Sequence, residues 1–385
     1  MSRHSIILLL ASVIGLLALG FTMLASTTFE VAHDGEDYER LWRQVVWGGA
    51  GLAACVVAAL VDFNLFIRWR WHLLIGSAVM LALCYVPGIG VMINGSRRWI
   101  GLQSIGFTAA RIQPSEFAKI ILIIALAAWF ATHDGLERSF KKGFLFPGLI
   151  LMGIVALIGC EFDLGNALLA SAVGGGIMFV AGTKMRYLFL IMLCVGGGLA
   201  AGIKWLPNRF DRVMVLFDLE ANKEGRGLQQ WVSKLAFGSG GVDGRGLGEG
   251  RMKLSYLPEA HTDFIFPMVG EELGLRGTAG TVLAFALLVM SGFMVAAYAP
   301  NRFGKLLGAG LTFLLGMEAL LNMGVTTALL PNKGLPLPFV SYGGSSLLAA
   351  MIAVGILINI HRQGVHLSRE ELPIIRRKHR WTPQL

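Results

Sequence analysis

The chain has 385 residues, 55% of them hydrophobic and only 15% charged, against about 25% charged in an average soluble domain, and its mean hydropathy is +0.65. Those values exclude an ordinary soluble enzyme, and the apolar content also excludes a disordered chain or, since the 50 glycines show no triplet period, a collagen-like one. The net charge of +9 raises nucleic acid as a partner, but Lys and Arg collect at the ends of apolar segments rather than in a basic stripe with interleaved aromatics, so no nucleic-acid binding is expected.

Crossing a bilayer takes about 20 mostly apolar residues per helix, and such windows begin near Ser5, Gln44, His72, Pro114, Gly143, Leu164, Arg186, Gly277, Gly304 and Ser341. The fold class predicted is an all-α polytopic membrane protein of about ten transmembrane helices with one long extracytoplasmic loop. The first run lacks a clear small-residue cleavage site and is read as the first helix, not as a signal peptide. Cys55, Cys84, Cys160 and Cys194 lie in or beside apolar runs without Cys-x-x-Cys spacing, which indicates neither a disulfide framework nor a zinc site.

With ten helices both termini fall on one side. Short loops on that side, with the C-terminal tail, carry sixteen Lys and Arg against six on the other, so both termini are expected in the cytoplasm. No tandem repeat or internal boundary is evident. The chain therefore reads as a single transmembrane domain over residues 1–361 followed by a basic cytoplasmic tail, 362–385.

The long outer loop covers about 204–262. Within it Phe210–Glu220 reads as a short amphipathic helix, while the glycine-rich stretch Gly238–Gly250 reads as flexible and non-helical. It lacks the strand-linked Gly-x-Gly-x-x-Gly and the Gly-x4-Gly-Lys-Ser/Thr patterns, so nucleotide binding is not supported.

Polar residues at membrane depth need a partner or a cavity, which makes each a site candidate. Glu116 and Lys119, three apart after Gln113-Pro114-Ser115, share one helix face, either as a self-neutralising pair or as a functional one; Pro114 can open that helix and Ser115 can cap it. Asp163, in the turn Cys160-Glu-Phe-Asp-Leu-Gly165, is most simply a helix N-cap. Asp263, in the run Tyr256–Phe266 with Glu259 and His261, meets an apolar stretch at the membrane boundary and is either a general base of raised pKa or a cap. Arg97, Arg98 and Arg111 face outward against the charge bias and suit either phosphate or carboxylate recognition or headgroup anchoring. The Pro-broken segment from Leu330 to Ser346 is irregular at membrane depth, which is tolerated only where protein or a wet cavity surrounds it.

At Asn94–Ile100, Gln113–Lys119, Asp163–Gly165, Tyr256–Phe266, Gly270–Leu275 and Lys333–Ser346 the sequence resembles the SEDS family (shape, elongation, division and sporulation) over nearly its whole length, up to about His361. Pro258–His261 and the Lys333 run look closer to its division members than to its elongation members. The resemblance implies a peptidoglycan glycosyltransferase that polymerises lipid II, an undecaprenyl-pyrophosphate-linked disaccharide-peptide, at the outer face of the bacterial plasma membrane. It assigns Asp263 as catalytic and places Arg98, Arg111, Glu116, Lys119 and Asp163 around the cavity. Arg97, Glu259, His261, Lys333 and Ser341 complete the candidate substrate-binding set. No cofactor is implied beyond a divalent cation such as Mg2+, which stays open, with the metal site unknown. The implied partners are lipid II, membrane lipid and a class B penicillin-binding protein. The competing readings are a lipid II flippase and a membrane scaffold of the division machinery. The sequence departs from the family's usual residues at Ser96, Phe162, Asn332 and Glu318, the last a charge inside a span.

Overall fold

The computed structural model describes residues 3–29, 36–93, 96–101, 111–205, 215–216, 218–225, 227–253 and 261–378. Seven long helices come first: α1 Arg3–Phe29, α2 Glu36–Leu60, α3 Leu65–Leu83, α4 Pro114–Thr132, α5 Phe146–Cys160, α6 Leu164–Ala181 and α7 Met185–Trp205. A shorter α8, Leu228–Gly240, lies in the long loop, and α9 Ile265–Ala297, α10 Arg302–Thr326 and α11 Gly344–Lys378 complete the bundle. Each of the ten apolar windows is thus a helix. Among the described residues eight are long and apolar enough to cross a membrane; α3, with Arg68, Arg70 and His72 in 19 residues, and α7, apolar over Met185–Gly198, are the other two. The sequence places the start of this span near Gly277; a kink at Gly274 (φ 66°, ψ −160°) separates the apolar span after it from a preceding helical stretch that opens at Ile265 and carries Glu271 and Glu272.

α4 is the axis of the bundle. Its span is 78% buried against 17% for α2, and it packs on α3, α5, α6 and α10, while α1 packs on α9 and α2 on α11. Lipid tails are as apolar as leucine, so close helix approach here rests on packing at small residues. A Cβ at Gly355 would stand 2.4 Å from the Cys55 carbonyl oxygen, and one at Gly292 would stand 2.4 Å from Thr312 Oγ1.

One end of the bundle is tied by amides. Asn301 caps α10 by accepting from the Gly304 N–H at 2.7 Å and donates to Asn64 Oδ1 at 2.8 Å. Asn64 donates to Gln363 Oε1 at 3.1 Å, and Asn359 donates to Ala58 O at 2.8 Å. The Asn64 backbone N–H holds the Asp62 carboxyl below its usual range. Arg302 pairs with Asp134 and Glu137 and donates to Ala181 O at 3.1 Å. α11 runs unbroken across residue 361, where the tail was expected to begin.

The opposite end holds two features the sequence did not reveal. An antiparallel sheet, β1 Gly90–Ile93, β2 Ser96–Gly101 and β3 Arg111–Ile112 in the order β1-β2-β3, is added to the helical architecture. Val91 faces Trp99 and Met92 faces Arg97 across an irregularity between them, and Ile100 faces Ile112. Among the described residues the long loop carries a helix at α8; of the stretch Phe210–Glu220, where a short helix is expected, residues 215–216, 219 and 220 form turns, and 210–214 and 217 lie outside the described residues. α8 seats on the end of α10. Gln230 donates to Val325 O at 2.9 Å and Leu330 O at 2.8 Å, and Ser233 donates to Thr326 O, so carbonyls left over at a helix C-terminus find partners.

The glycine-rich stretch is ordered, which corrects the expectation of flexibility. α8 itself extends through Gly240, and beyond it the backbone N–H groups of Arg245 and Gly246 donate to the carbonyls of Glu271 and Glu272, each at 3.0 Å. A Cβ at Gly244 would stand 2.2 Å from Glu272 O, and Gly274, at φ 66° inside α9, leaves no more room against Gly244. Only glycine fits both the close approach and the positive φ.

Candidate active site

The irregular segment that precedes α11 is enclosed by protein. Leu335, Leu337, Phe339, Val340 and Ser341 are buried, a Cβ at Gly20 of α1 would stand 2.6 Å from Phe339 O, and Gln44 of α2 donates to Ser341 O at 3.4 Å. Protein surrounds it, as irregular backbone at membrane depth requires.

That segment holds Asp263. Ser341, expected at the substrate, has its hydroxyl committed to the backbone: it donates to Thr262 O at 2.6 Å and accepts from the Leu337 N–H at 2.8 Å. Tyr342 N–H donates to His261 O at 2.9 Å, and the two rings lie 5.8 Å apart. Asn322 of α10 donates to Asp263 O at 2.8 Å and to Leu335 O at 2.7 Å. Three successive carbonyls, 261 to 263, are thereby fixed. The carboxylate itself lies over a glycine, since a Cβ at Gly334 would stand 2.6 Å from Asp263 Oδ2. Asp263 is not the cap of the following helix, which opens at Phe264 with no side-chain cap bond. Lys333 is half-buried beside Gly334, and Glu259 lies outside the described residues.

A second polar network starts one residue further along. Leu335 packs at the position of Gly165, just after Asp163. Asp163 caps α6 as expected, accepting from the Asn166 N–H at 3.2 Å, and also accepts from Asn166 Nδ2 at 3.0 Å and Gln113 Nε2 at 3.3 Å, with Arg98 Nη1 at 3.8 Å. Asn166 in turn accepts from Lys119 Nζ at 2.9 Å. Lys119 also donates to Glu116 Oε2 at 3.0 Å and Glu318 Oε1 at 2.6 Å, and all three side chains are buried. Its three ammonium protons therefore all have protein acceptors, so Lys119 joins α4, α6 and α10 rather than presenting a cation to a ligand. Glu318 faces this interior pair, not lipid. α4 opens with Pro114 at its first turn, as expected, but its N-cap is Gln113 rather than Ser115.

The sheet sorts the arginines. Adjacent residues on a strand point to opposite faces, and Arg98 turns inward to Asp163, Ser96 Oγ and Phe162 O, whereas Arg97 is exposed and reaches Tyr85 O at 3.4 Å. Arg111 is exposed on β3, and its carbonyl accepts from Ser345 Oγ at 3.4 Å. Phe162 has φ 58°, a backbone that the proline usual in the resembled family could not adopt.

Glu161 is a site residue that the sequence reading passed over. It is 1% exposed, and neither carboxyl oxygen has a hydrogen-bond partner of normal geometry. Burial pushes its pKa up to about 8, the Cys84 thiol opposing, Asp163 adding and the Arg98 guanidinium again opposing. Only its place beside Asp163 in a tight turn could have signalled it. Among the described residues no three His, Cys, Asp or Glu side chains gather as a metal site.

Residues 5–366 match the family of cell cycle proteins that includes FtsW, RodA and SpoVE. The chain is 39% identical over 363 residues to a probable peptidoglycan glycosyltransferase FtsW of Geobacter metallireducens, covering 93% of this chain and 94% of that one. It is 35% identical over 371 residues to the protein of the same name from Pseudomonas fluorescens, covering 94% and 90%. Among solved structures it resembles a chain from a peptidoglycan synthase complex described for coordination of polymerization and crosslinking, with TM-score 0.76, 27% identity and coverage of 92% and 97%. It also resembles the rod shape determining protein RodA of Thermus thermophilus, with TM-score 0.68, 28% identity and coverage of 92% and 96%.

Proposed function

Because this chain belongs to the FtsW, RodA and SpoVE family of multi-pass membrane proteins, we propose that it is a division-type peptidoglycan glycosyltransferase that polymerises lipid II at the outer face of the plasma membrane. The observation that carries the reading is the arrangement of Asp263, whose backbone is fixed by α10 and the segment before α11 while its carboxylate has no capping duty. Extending a glycan requires a base to take the proton from the acceptor sugar hydroxyl as its oxygen attacks the donor anomeric carbon. Asp263 fills that role, and the bond to the pyrophosphate breaks on the opposite side. Arg98, with Arg111 on the same sheet, offers donors to the departing pyrophosphate, while Arg97, exposed on the other face of β2, is left to headgroup anchoring. Asp163, Ser96 and the Phe162 carbonyl hold Arg98 in place, and Glu116 and Lys119 support α4 and α6 beneath it. His261 and Lys333 flank Asp263 and are assigned to the sugar-peptide headgroup, with Glu259 in the same run. The prenyl tail stays in lipid.

The polar network favours this enzyme over a flippase. It descends from Arg98 through Asp163 and Asn166 to Lys119 and Glu318, and below Lys119 α4 continues as the buried apolar run Ile120–Phe130. A flippase needs polar access from both faces. The same asymmetry supports an outer location for Arg98 and Asp263 and a cytoplasmic one for the Arg302 end, with both termini. Any divalent cation would arrive with the pyrophosphate, and a transpeptidase of the class B penicillin-binding type is the natural partner, since the structural relative comes from a synthase complex. The test is lipid II polymerisation by the purified protein, with and without that transpeptidase, beside a vesicle translocation assay. Glycan product is expected; translocation without product would reject the enzyme.

A further inference from the structure

Asp263 is bracketed in sequence by Lys253 and Glu272, and these two flanking residues meet. Lys253 Nζ stands 2.9 Å from Glu272 Oε1, with both side chains almost completely buried. Ser26 at the end of α1 completes the junction: its hydroxyl donates to Glu272 Oε1 at 2.7 Å and Oε2 at 2.6 Å, and its carbonyl accepts from Lys253 at 3.1 Å. Lys253 also donates to Gly248 O at 2.7 Å, and Gly248 N–H donates to Glu272 Oε2 at 3.1 Å. The neighbouring Glu271 accepts from Arg251 N–H at 2.8 Å and Met252 N–H at 3.1 Å.

A buried ion pair is a poor source of net stability, because desolvation offsets most of its attraction, and its retention is better explained by the geometry it imposes. Here it closes the chain from residue 253 to residue 272 into a loop and fixes both ends of it to α1. Asp263 is also held on its backbone side, by Asn322 on its own carbonyl and by Ser341 of the segment before α11 on the preceding Thr262 carbonyl. The two sets together leave the carboxylate little freedom, and misplacement of a reacting group by about 1 Å can cost 10²-fold in rate.

The geometry assigns Glu272, with Lys253 and Ser26, as positioning residues for Asp263, a role that rests on the reading of Asp263 as the general base. They touch neither substrate nor the reacting atoms. The test uses the full chain with its transpeptidase partner and measures kcat and KM for lipid II in Lys253→Met, Ser26→Ala and Lys253→Arg, beside Asp263→Asn. Lys253→Met is expected to lower kcat about 10-fold with KM within about 3-fold of the parent, Ser26→Ala to lower it less, and Lys253→Arg to restore most of it. The acid limb of the kcat profile is expected to move in Lys253→Met, whereas a loss of folded protein would lower the plateau and leave that limb in place. Parent-like kcat in both Lys253→Met and Ser26→Ala, with Asp263→Asn inactive, overturns the assignment. A proportional fall in folded fraction and kcat with an unmoved acid limb in Ser26→Ala overturns it too. Near-normal product from Asp263→Asn instead overturns the underlying reading of Asp263.

Discussion

Lys119 of α4 and Glu318 of α10 form an ion pair of 2.6 Å in the interior of the bundle, and Glu116 accepts from the same ammonium at 3.0 Å. One cation thus serves two carboxylates on two helices, and Asn166 adds a third. Removing the shared cation leaves both carboxylates uncompensated, so Lys119→Met is expected to destabilise by about 3–5 kcal/mol. Glu318→Gln keeps an oxygen acceptor for Lys119 and should cost about 1 kcal/mol or less. Thermal melts of the two variants in one detergent check the order.

The two adjacent arginines of β2 should separate in activity. Arg98 points inward to Asp163 and Arg97 lies exposed, so Arg98→Ala is expected to raise KM for lipid II about 10-fold or more, and Arg97→Ala to change it about 3-fold or less. Steady-state polymerisation kinetics of each variant make the comparison.

Much of this was legible in the sequence, for physical reasons. The ten apolar windows each became a helix because a span must satisfy its backbone internally, and the three-residue spacing of Glu116 and Lys119 gave their shared helix face, leaving the pairing itself to the structure. Glu318 could not be paired from sequence, since its partner lies 199 positions away and no local period links them. The sheet escaped because its strands are two to six residues long and one is separated from the others by residues 102–110. The glycine-rich stretch looked flexible because composition records the absence of side chains, not the backbone that fills the space they leave.

Glu161 gives a pH dependence whose sign follows from its surroundings. Its folded-state pKa, about 8, lies above the ordinary 4.5, so the folded protein binds this proton more tightly than the unfolded chain does. The associated stability is fully present below pH 4.5 and is lost as pH rises through about 8. Glu161→Met removes the buried carboxyl, and above pH 8 it is expected to raise stability by about 1–3 kcal/mol, flattening the decline between those limits. Melting temperatures of parent and variant across that range are the check.

The account turns on Asp263, and one conservative substitution tests it most directly. Asp263→Asn keeps size and hydrogen-bonding capacity but cannot take the proton of the acceptor sugar hydroxyl. The measurement is lipid II polymerisation by the purified variant with its transpeptidase partner, alongside its melting temperature. A loss of about 10²-fold or more in turnover, with melting and partner binding unchanged, is the expected result. Near-normal glycan product from a folded variant would contradict the assignment of Asp263 as the base.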